Sequence, residues 1–189
     1  MRYLGIVIEN IKTSYGVIRE LKRMKIPFAL IKAGDPVPDH ISALILCGGI
    51  HLQNYKMAVS YDGNARRTVL KAMSASAGKK RFELVVVGID PGGCTGVAII
   101  ADGELVEAYT VDRLILKQEV EEILEDYPAE RFVFRIGRGD VSGEVIVKLQ
   151  EDPRVRMEFV VETKRTLPPK FLRKGLKKDA KSALIIAIS

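Results

Sequence analysis

The sequence predicts an α/β protein with a small parallel-sheet α/β unit, followed by a mixed five-stranded sheet flanked by helices. Short apolar segments alternate with segments whose apolar residues recur every three or four positions, which is typical of strands alternating with helices. Near the middle of the chain, three apolar strands are joined by glycine-containing turns, which indicates an antiparallel meander. A small, polar and basic stretch at 74–81 separates the two patterns. We therefore place a βαβ-type domain at 1–78 and a second domain at 81–189.

The first domain begins with an apolar strand at 3–8 and a helix capped by Asn10. The apolar stripe of this helix consists of Ile11, Tyr15, Ile18, Leu21 and Met24. Further strands are expected at 26–31 and 41–47, and a second helix at 62–75. A strand, a helix and a strand in succession favour parallel pairing, because a helical crossover returns the chain to the same end of the sheet.

The second domain is predicted to contain three meandering strands followed by alternating helices and strands. The expected strands lie at 83–90, 94–101, 104–111, 131–136 and 154–161. Asp102-Gly103 is a two-residue hairpin turn between the second and third of them. Helices are expected after the cap residue Asp112, at 142–150 and at 179–188. This order predicts a mixed five-stranded sheet with helices on its faces.

Composition narrows the class of protein further. With 47% hydrophobic and 29% charged residues the chain is expected to fold around a core, and it has no apolar run long enough to span a bilayer. Two cysteines are too few for a disulfide framework, which favours a cytoplasmic location. Three Asn and three Gln among many Lys and Glu are typical of a thermophile protein.

Positive charge is concentrated at the C-terminal end of the chain. Residues 154–189 contain ten Lys and Arg against three acidic residues, whereas the preceding residues are almost neutral. Localised positive charge favours a polyanionic partner, although a solvated basic tail gives the same pattern.

The most informative motif surrounds Asp90, in the stretch GIDPGGCTGVA at 88–98. Asp90 ends a wholly apolar strand, so its carboxylate is expected at the open end of the sheet, because burial of a charge is costly. The glycines that follow Pro91 allow a sharp turn and a close approach to a ligand. An acid at such a turn suits a divalent cation or a phosphate.

This motif, G-I-D-P-G-x-x-T-G-x-A followed by the Gly103 hairpin, resembles the first two strands of RuvC-type Holliday-junction resolvases and their YqgF relatives. The resemblance covers about 81–189 and implies an RNase H-like fold. Residues 1–80 have only a vague similarity to the extra domains of archaeal RuvC-like nucleases. The family consists of metal-dependent nucleases that work as dimers, so the resemblance also implies a homodimer.

Nucleases of this family hold Mg²⁺ or Mn²⁺ with acids from the first strand, the end of the fourth strand and the last helix. By resemblance, Asp90 and Asp179 are the matching metal-binding and catalytic residues. The other two acids are replaced, by Arg135 on the fourth strand and by Ser182 on the last helix. Catalysis is therefore in doubt, because two carboxylates leave most of the Mg²⁺ shell to water.

Two arrangements of this altered site remain open. In the first, Arg135 takes the electrostatic role of the lost metal and neutralises Asp90 and Asp179, with help from Lys181. In the second, Asp140 or Glu144 supplies a third acid and the protein is an active metal-dependent nuclease. Both acids come just past the fourth strand, and the loop at 135–140 is expected at the same sheet end as Asp90.

The residues expected to bind a substrate lie around this site and in the basic segment 164–178. They are Thr95, Arg135, Arg138, Lys164, Arg165, Lys170, Arg173, Lys174, Lys177, Lys178 and Lys181. The alternative role for Thr95 is to stabilise the turn. With a single aromatic in the segment, the expected partner is the backbone of structured DNA or RNA, not its base sequence. The sequence thus favours a nucleic-acid-binding protein with a nuclease-like fold, the alternatives being an active nuclease and a non-enzymatic protein-interaction module.

Overall fold

The computed structural model describes residues 3–9, 11–48, 55, 57–161, 166–173 and 175–189. Contacts divide the chain into two compact units, of which the first comprises Met1–Arg81 and Asp126–Pro128. The second comprises Phe82–Glu125 and Ala129–Ser189. The α/β class is confirmed, with a parallel sheet in the first unit and a mixed sheet in the second.

The first unit contains a four-stranded parallel sheet in the order β2-β1-β3-β4. Its elements are β1 (Tyr3–Ile8), α1 (Ile11–Arg23), β2 (Phe28–Lys32), β3 (Ile41–Cys47), β4 (Ala58–Ser60) and α2 (Ala65–Ser76). The side chain of Asn64 caps α2 by accepting a hydrogen bond from the amide of Arg67 at 2.9 Å. Burial alone would raise the pKa of Asp62, but hydrogen bonds led by that from Lys71 outweigh it and lower the pKa. The short strand β4 is missing from the sequence-based prediction.

The second unit contains the five-stranded sheet, in the order β7-β6-β5-β8-β9. Its elements are β5 (Phe82–Asp90), β6 (Cys94–Ala101), β7 (Glu104–Asp112), α3 (Leu116–Asp126), β8 (Ala129–Ile136), α4 (Gly143–Glu151), β9 (Val155–Phe159) and α5 (Lys178–Ala187). Strand β6 is antiparallel to β5 and β7, whereas β8 and β9 run parallel to β5.

The hairpin between β6 and β7 forms at the predicted turn. Asp102 and Gly103 both have positive φ, at 46° and 80°, as a two-residue turn with the right twist requires. The Asp102 carboxylate accepts hydrogen bonds from the amides of Glu83 and Leu84 at 2.9 and 3.0 Å. The turn is thereby tied to the start of β5, the strand that ends at Asp90.

One face of this sheet packs against α5. Ala183, Leu184 and Ala187 of the helix are buried in one cluster with Ala98 and Ile100 of β6. Leu105 of β7 and Phe171, which precedes the helix, complete the buried cluster. The core thus holds the last helix over the three antiparallel strands.

Candidate functional site

Two glycines determine how closely α5 approaches the sheet. A Cβ placed on Gly96 would lie 2.1 Å from the carbonyl oxygen of Asp179, and one on Gly88 would lie 2.1 Å from that of Ala183. Gly96 is the cross-strand partner of Asp90, and Gly88 lies on the same face of β5 as Asp90 because strand residues alternate. The first turn of α5 therefore lies on the sheet beside the end of β5. The structure brings the backbones of Asp90 and Asp179 to one edge of the sheet.

Asp179 lies in the first turn of α5 and is half-buried. A carboxylate there stabilises the helix, since the exposed amides at a helix N-terminus carry partial positive charge. The cap residue Lys177 makes no side-chain capping hydrogen bond, so Asp179 is the acidic group of this helix end. Asp179 thus has a structural role in addition to any role in binding a ligand.

The turn after β5 is held by Thr95. This residue is fully buried, and its hydroxyl donates to the carbonyl of Gly92 at 3.3 Å. Of the two roles considered for Thr95, the structure shows the stabilisation of the turn. Gly92, Gly93 and the free thiol of Cys94 are exposed at the tip.

The loop after β8 lies against the same turn. The amide of Gly137 donates to the carbonyl of Ile89 at 2.9 Å, which extends the pairing of β5 and β8 past the end of β8. A Cβ on Gly139, whose φ is 147°, would lie 2.9 Å from the Cβ of Pro91. Arg138 and Asp140 are exposed on either side of this contact. The loop therefore shares the sheet edge with Asp90, as expected from sequence.

Arg135 does not neutralise Asp90 and Asp179, and that expectation is wrong. Its Nε donates to Oε2 of Glu158 at 2.9 Å, and its Nη1 donates to the carbonyl of Ala187 at 2.7 Å. Glu158 is the register partner of Arg135 on β9, so the two side chains leave the sheet on the same face. The guanidinium binds the C-terminal end of α5, where partial negative charge attracts a cation.

Glu144 also has a different partner from the one expected. Its Oε2 lies 3.2 Å from Nζ of Lys117 on α3, and its side chain is 74% exposed in the first turn of α4. This ion pair links α3 to α4, whereas Asp90 lies on the face of the sheet that packs against α5. The shifted third acid is therefore not Glu144 in this arrangement, while Asp140 remains at the Asp90 edge.

The basic segment divides into anchored and exposed residues. Arg173 donates to the carbonyls of Leu105 and Val106 on β7, the latter at 3.1 Å. Partial burial lowers the pKa of Arg173, and the nearby charge of Glu107 opposes that shift. Nζ of Lys170 lies 3.5 Å from the carbonyl of Gly103 and 4.7 Å from the ring centroid of Phe171. Arg173 and Lys170, both predicted to bind a substrate, thus help to hold the segment on the hairpin.

The start of α5 carries the exposed part of the positive charge. Lys177, Lys178 and Lys181 have exposed side chains, and Lys181 lies one turn after Lys177. Lys164, Arg165 and Lys174 lie outside the described residues. Ser182, which only the resemblance to resolvases aligns with a second helix acid, is half-buried.

Sequence reasoning missed two groups of residues that shape this unit. Glu158 fixes Arg135, and its signal was an opposite charge at the matching position of the next parallel strand. Asp152 fixes Arg154 by hydrogen bonds of 2.6 to 3.2 Å, and the Arg154 guanidinium lies 5.0 Å from the ring centroid of Phe132. Both groups join elements whose spatial order a single sequence does not show.

Two comparisons with known proteins were made at the level of sequence, and neither gives a match. No protein-family model matches the chain, and the search of curated proteins also finds no match. Among the described residues, no three His, Cys, Asp or Glu side chains form a group suited to a metal ion. No helix within the described ranges has the length and apolar character needed to cross a membrane.

Proposed function

We propose that this protein binds the phosphate backbone of structured nucleic acid, DNA or RNA, at the sheet edge marked by Asp90 and the start of α5. One observation carries the proposal: the 91–94 turn, the 138–140 loop and the first turn of α5 converge at this edge. The mixed five-stranded sheet flanked by helices is compatible with the RNase H-like fold that the motif around Asp90 implies.

Exposed cations surround this edge. Arg138 lies on the loop after β8, and Lys177, Lys178 and Lys181 lie on the first turns of α5. Ammonium and guanidinium groups neutralise phosphates without reading base sequence, and their binding weakens as salt rises. The concentration of positive charge in 154–189 adds to the attraction of a polyanion. The surface therefore suits a phosphate backbone better than a neutral ligand.

A resident Mg²⁺ or Mn²⁺ does not fit the donor set at this edge. The fourth-strand position that the resolvase family fills with an acid holds Arg135, whose guanidinium is engaged by Glu158 and the end of α5. Asp90 and Asp179 alone would leave a hard cation mostly hydrated. Among the described residues, Asp140 does not complete a group of three acids with them that suits a metal ion. We therefore propose binding without cleavage. We also propose a cytoplasmic location, which the low number of cysteines favours.

The test measures retention of branched, double-stranded and single-stranded nucleic acids as a function of salt. The variant Lys177→Ala/Lys178→Ala/Lys181→Ala is expected to weaken binding to every sequence. It should also reduce the slope of log K against log salt by about 1 for each phosphate that is no longer neutralised. A control with the same charge change, Lys22→Ala/Lys32→Ala/Lys80→Ala, alters exposed lysines of the first unit and is expected to leave binding unchanged.

Two outcomes would contradict the proposal. Lack of retention at low salt would favour the protein-interaction module. Cleavage of nucleic acid in Mn²⁺ that is lost in Asp90→Asn would favour the alternative of an active metal-dependent nuclease. Asp140 would then be the candidate for the third acid.

A further inference from the structure

The outer strand β9 has one side without a partner strand in the described structure. It is the last strand of its sheet, and among the described residues β8 is the one strand that pairs with it. The amide of Val160 donates to Ile136, and the carbonyl of Arg154 accepts from Phe132, both at 2.8 Å. Even-numbered residues thus direct their backbone groups to β8. Because neighbouring residues alternate, Met157 and Phe159 direct theirs to the open side.

The sequence of β9 is complementary to itself in the antiparallel direction. The strand reads Val155-Arg156-Met157-Glu158-Phe159. If a second copy pairs antiparallel with Met157 opposite Met157, each Arg156 faces Glu158 of the other copy and each Val155 faces Phe159. Opposite charges and apolar pairs at facing positions stabilise strand pairing, and like charges weaken it.

The hydrogen-bonding pattern agrees with this register. Met157 faces itself as a hydrogen-bonded pair, because its amide and carbonyl are those directed outward. Arg156 and Glu158 then form the non-hydrogen-bonded pairs, in which side chains approach most closely. If the centre moved to Phe159, Glu158 would face Val160 and lose its charged partner. If it moved to Val155, Met157 would face Pro153, which has no amide donor. The register centred on Met157 therefore pairs the charged side chains and also gives each outward backbone group a partner.

The side chains along this edge are also accessible. Phe159 is 72% exposed and the Arg156 side chain is 76% exposed. Nε of Arg156 lies 3.2 Å from Oε1 of Glu158, and the other carboxylate oxygen of Glu158 binds Arg135. Oε1 is thus the oxygen that the partner's Arg156 would share. An exposed aromatic residue on an open edge favours a protein partner over water.

We propose that two copies of this chain associate through β9 about a twofold axis at Met157, joining their five-stranded sheets into one. The interface is isologous, since the same strand serves both copies. The paired strands run in opposite directions, so the two Asp90 edges face opposite ends of the joined sheet. The proposal is independent of nucleic-acid binding, because none of its contacts involves that edge.

A charge reversal tests the interface with the full chain in sedimentation velocity over a range of concentrations. The native chain is expected to shift from one to two copies as concentration rises into the hundreds of micromolar. Arg156→Glu places Glu opposite Glu twice and is expected to weaken dimerisation at least about tenfold. Arg113→Glu, the same change at another exposed arginine, is expected to leave it unchanged.

The register is tested by cysteine cross-linking in a Cys94→Ser background, which removes the exposed native thiol. Residues 157 of the two copies would have Cα atoms about 5.5 Å apart, within the range that a disulfide spans. Met157→Cys is therefore expected to give a covalent dimer on mild oxidation, and Arg156→Cys, which faces position 158, much less. A chain that stays monomeric, or equal cross-linking at both positions, would overturn the proposal.

Discussion

The two outer strands of the second unit, β7 and β9, differ in what lies on their free sides. On β7, Arg173 donates to the carbonyls of Leu105 and Val106, and Lys170 approaches the carbonyl of Gly103. On β9, Phe159 is largely exposed, and no described residue pairs with the strand from outside. One edge has its backbone acceptors bound by side chains of its own chain, whereas no described side chain binds the outward acceptors of the other.

This difference shows that an edge strand can be protected without another strand. A single guanidinium has several donors in a fixed plane, so it binds two successive carbonyls and blocks an incoming strand. The protection depends on a buried anchor, because Arg173 lies two residues after Phe171, which is 5% exposed in the core beneath α5. The basic segment therefore has a structural role at β7 that its charge alone did not reveal.

Removal of the anchor is expected to have the largest effect. Phe171→Ala leaves a cavity in the cluster shared by α5 and β6 and is expected to lower the free energy of unfolding by about 3–5 kcal/mol. Leu172→Ala, at a neighbouring residue that is 64% exposed, is expected to change it little. Urea denaturation of both variants measures the difference, and equal losses would show that Phe171 does not anchor the segment.

Removal of the guanidinium is expected to have a smaller effect. Arg173→Met keeps the length of the side chain but leaves two carbonyls of β7 without their donor, which is expected to cost about 1 kcal/mol. Amide hydrogen exchange at the edge of β7 should increase, while that of β9 should not. Lys177→Met, which removes an exposed cation, is the control. If amide exchange at the edge of β7 increased equally in both variants, Arg173 would not be the group that protects this edge.

On the β9 side, Asp152→Asn is expected to have the smallest effect, and one that depends on pH. Hydrogen bonds from Arg154, opposed by burial, lower the pKa of Asp152, so the carboxylate stabilises the fold. That contribution is present above the pKa of an unfolded aspartate, about 3.9, and is lost as pH falls through the lower folded pKa. The variant is expected to lose about 0.5 kcal/mol at pH 7 and nothing in strong acid. Urea denaturation across this pH range measures the change, and a loss independent of pH would contradict it.

Much of the fold could be predicted from the sequence. The strands of the second unit were placed within a few residues because apolar runs end at strong turn residues such as Pro91 and Asp102-Gly103. The strand β4 was not predicted, since three residues are too few for alternation to be recognised. Local patterns thus determined most elements, and the exception is the one with the weakest local pattern.

The candidate site could be predicted only in part. Asp90 and the 138–140 loop were placed at one sheet edge because both follow parallel strands that end together. The partners of Arg135 and Arg173 were not foreseen, because each joins elements that are distant in sequence. A sequence shows which side chains are charged, but strand register and packing determine which of these side chains form contacts.

The close approaches at Gly88 and Gly96 fix the separation between the last helix, α5, and the sheet. Backbone atoms of α5 touch backbone of the sheet, so no side-chain rotamer remains between them to adjust the gap. Substitutions at the exposed helix positions Lys178 and Lys181 change the charge of the helix but not its height above the strands. The distance between the backbones of residues 90 and 179 therefore depends on Gly88 and Gly96, whose side chains are single hydrogen atoms. Any other residue would place a methyl group or more in the same space.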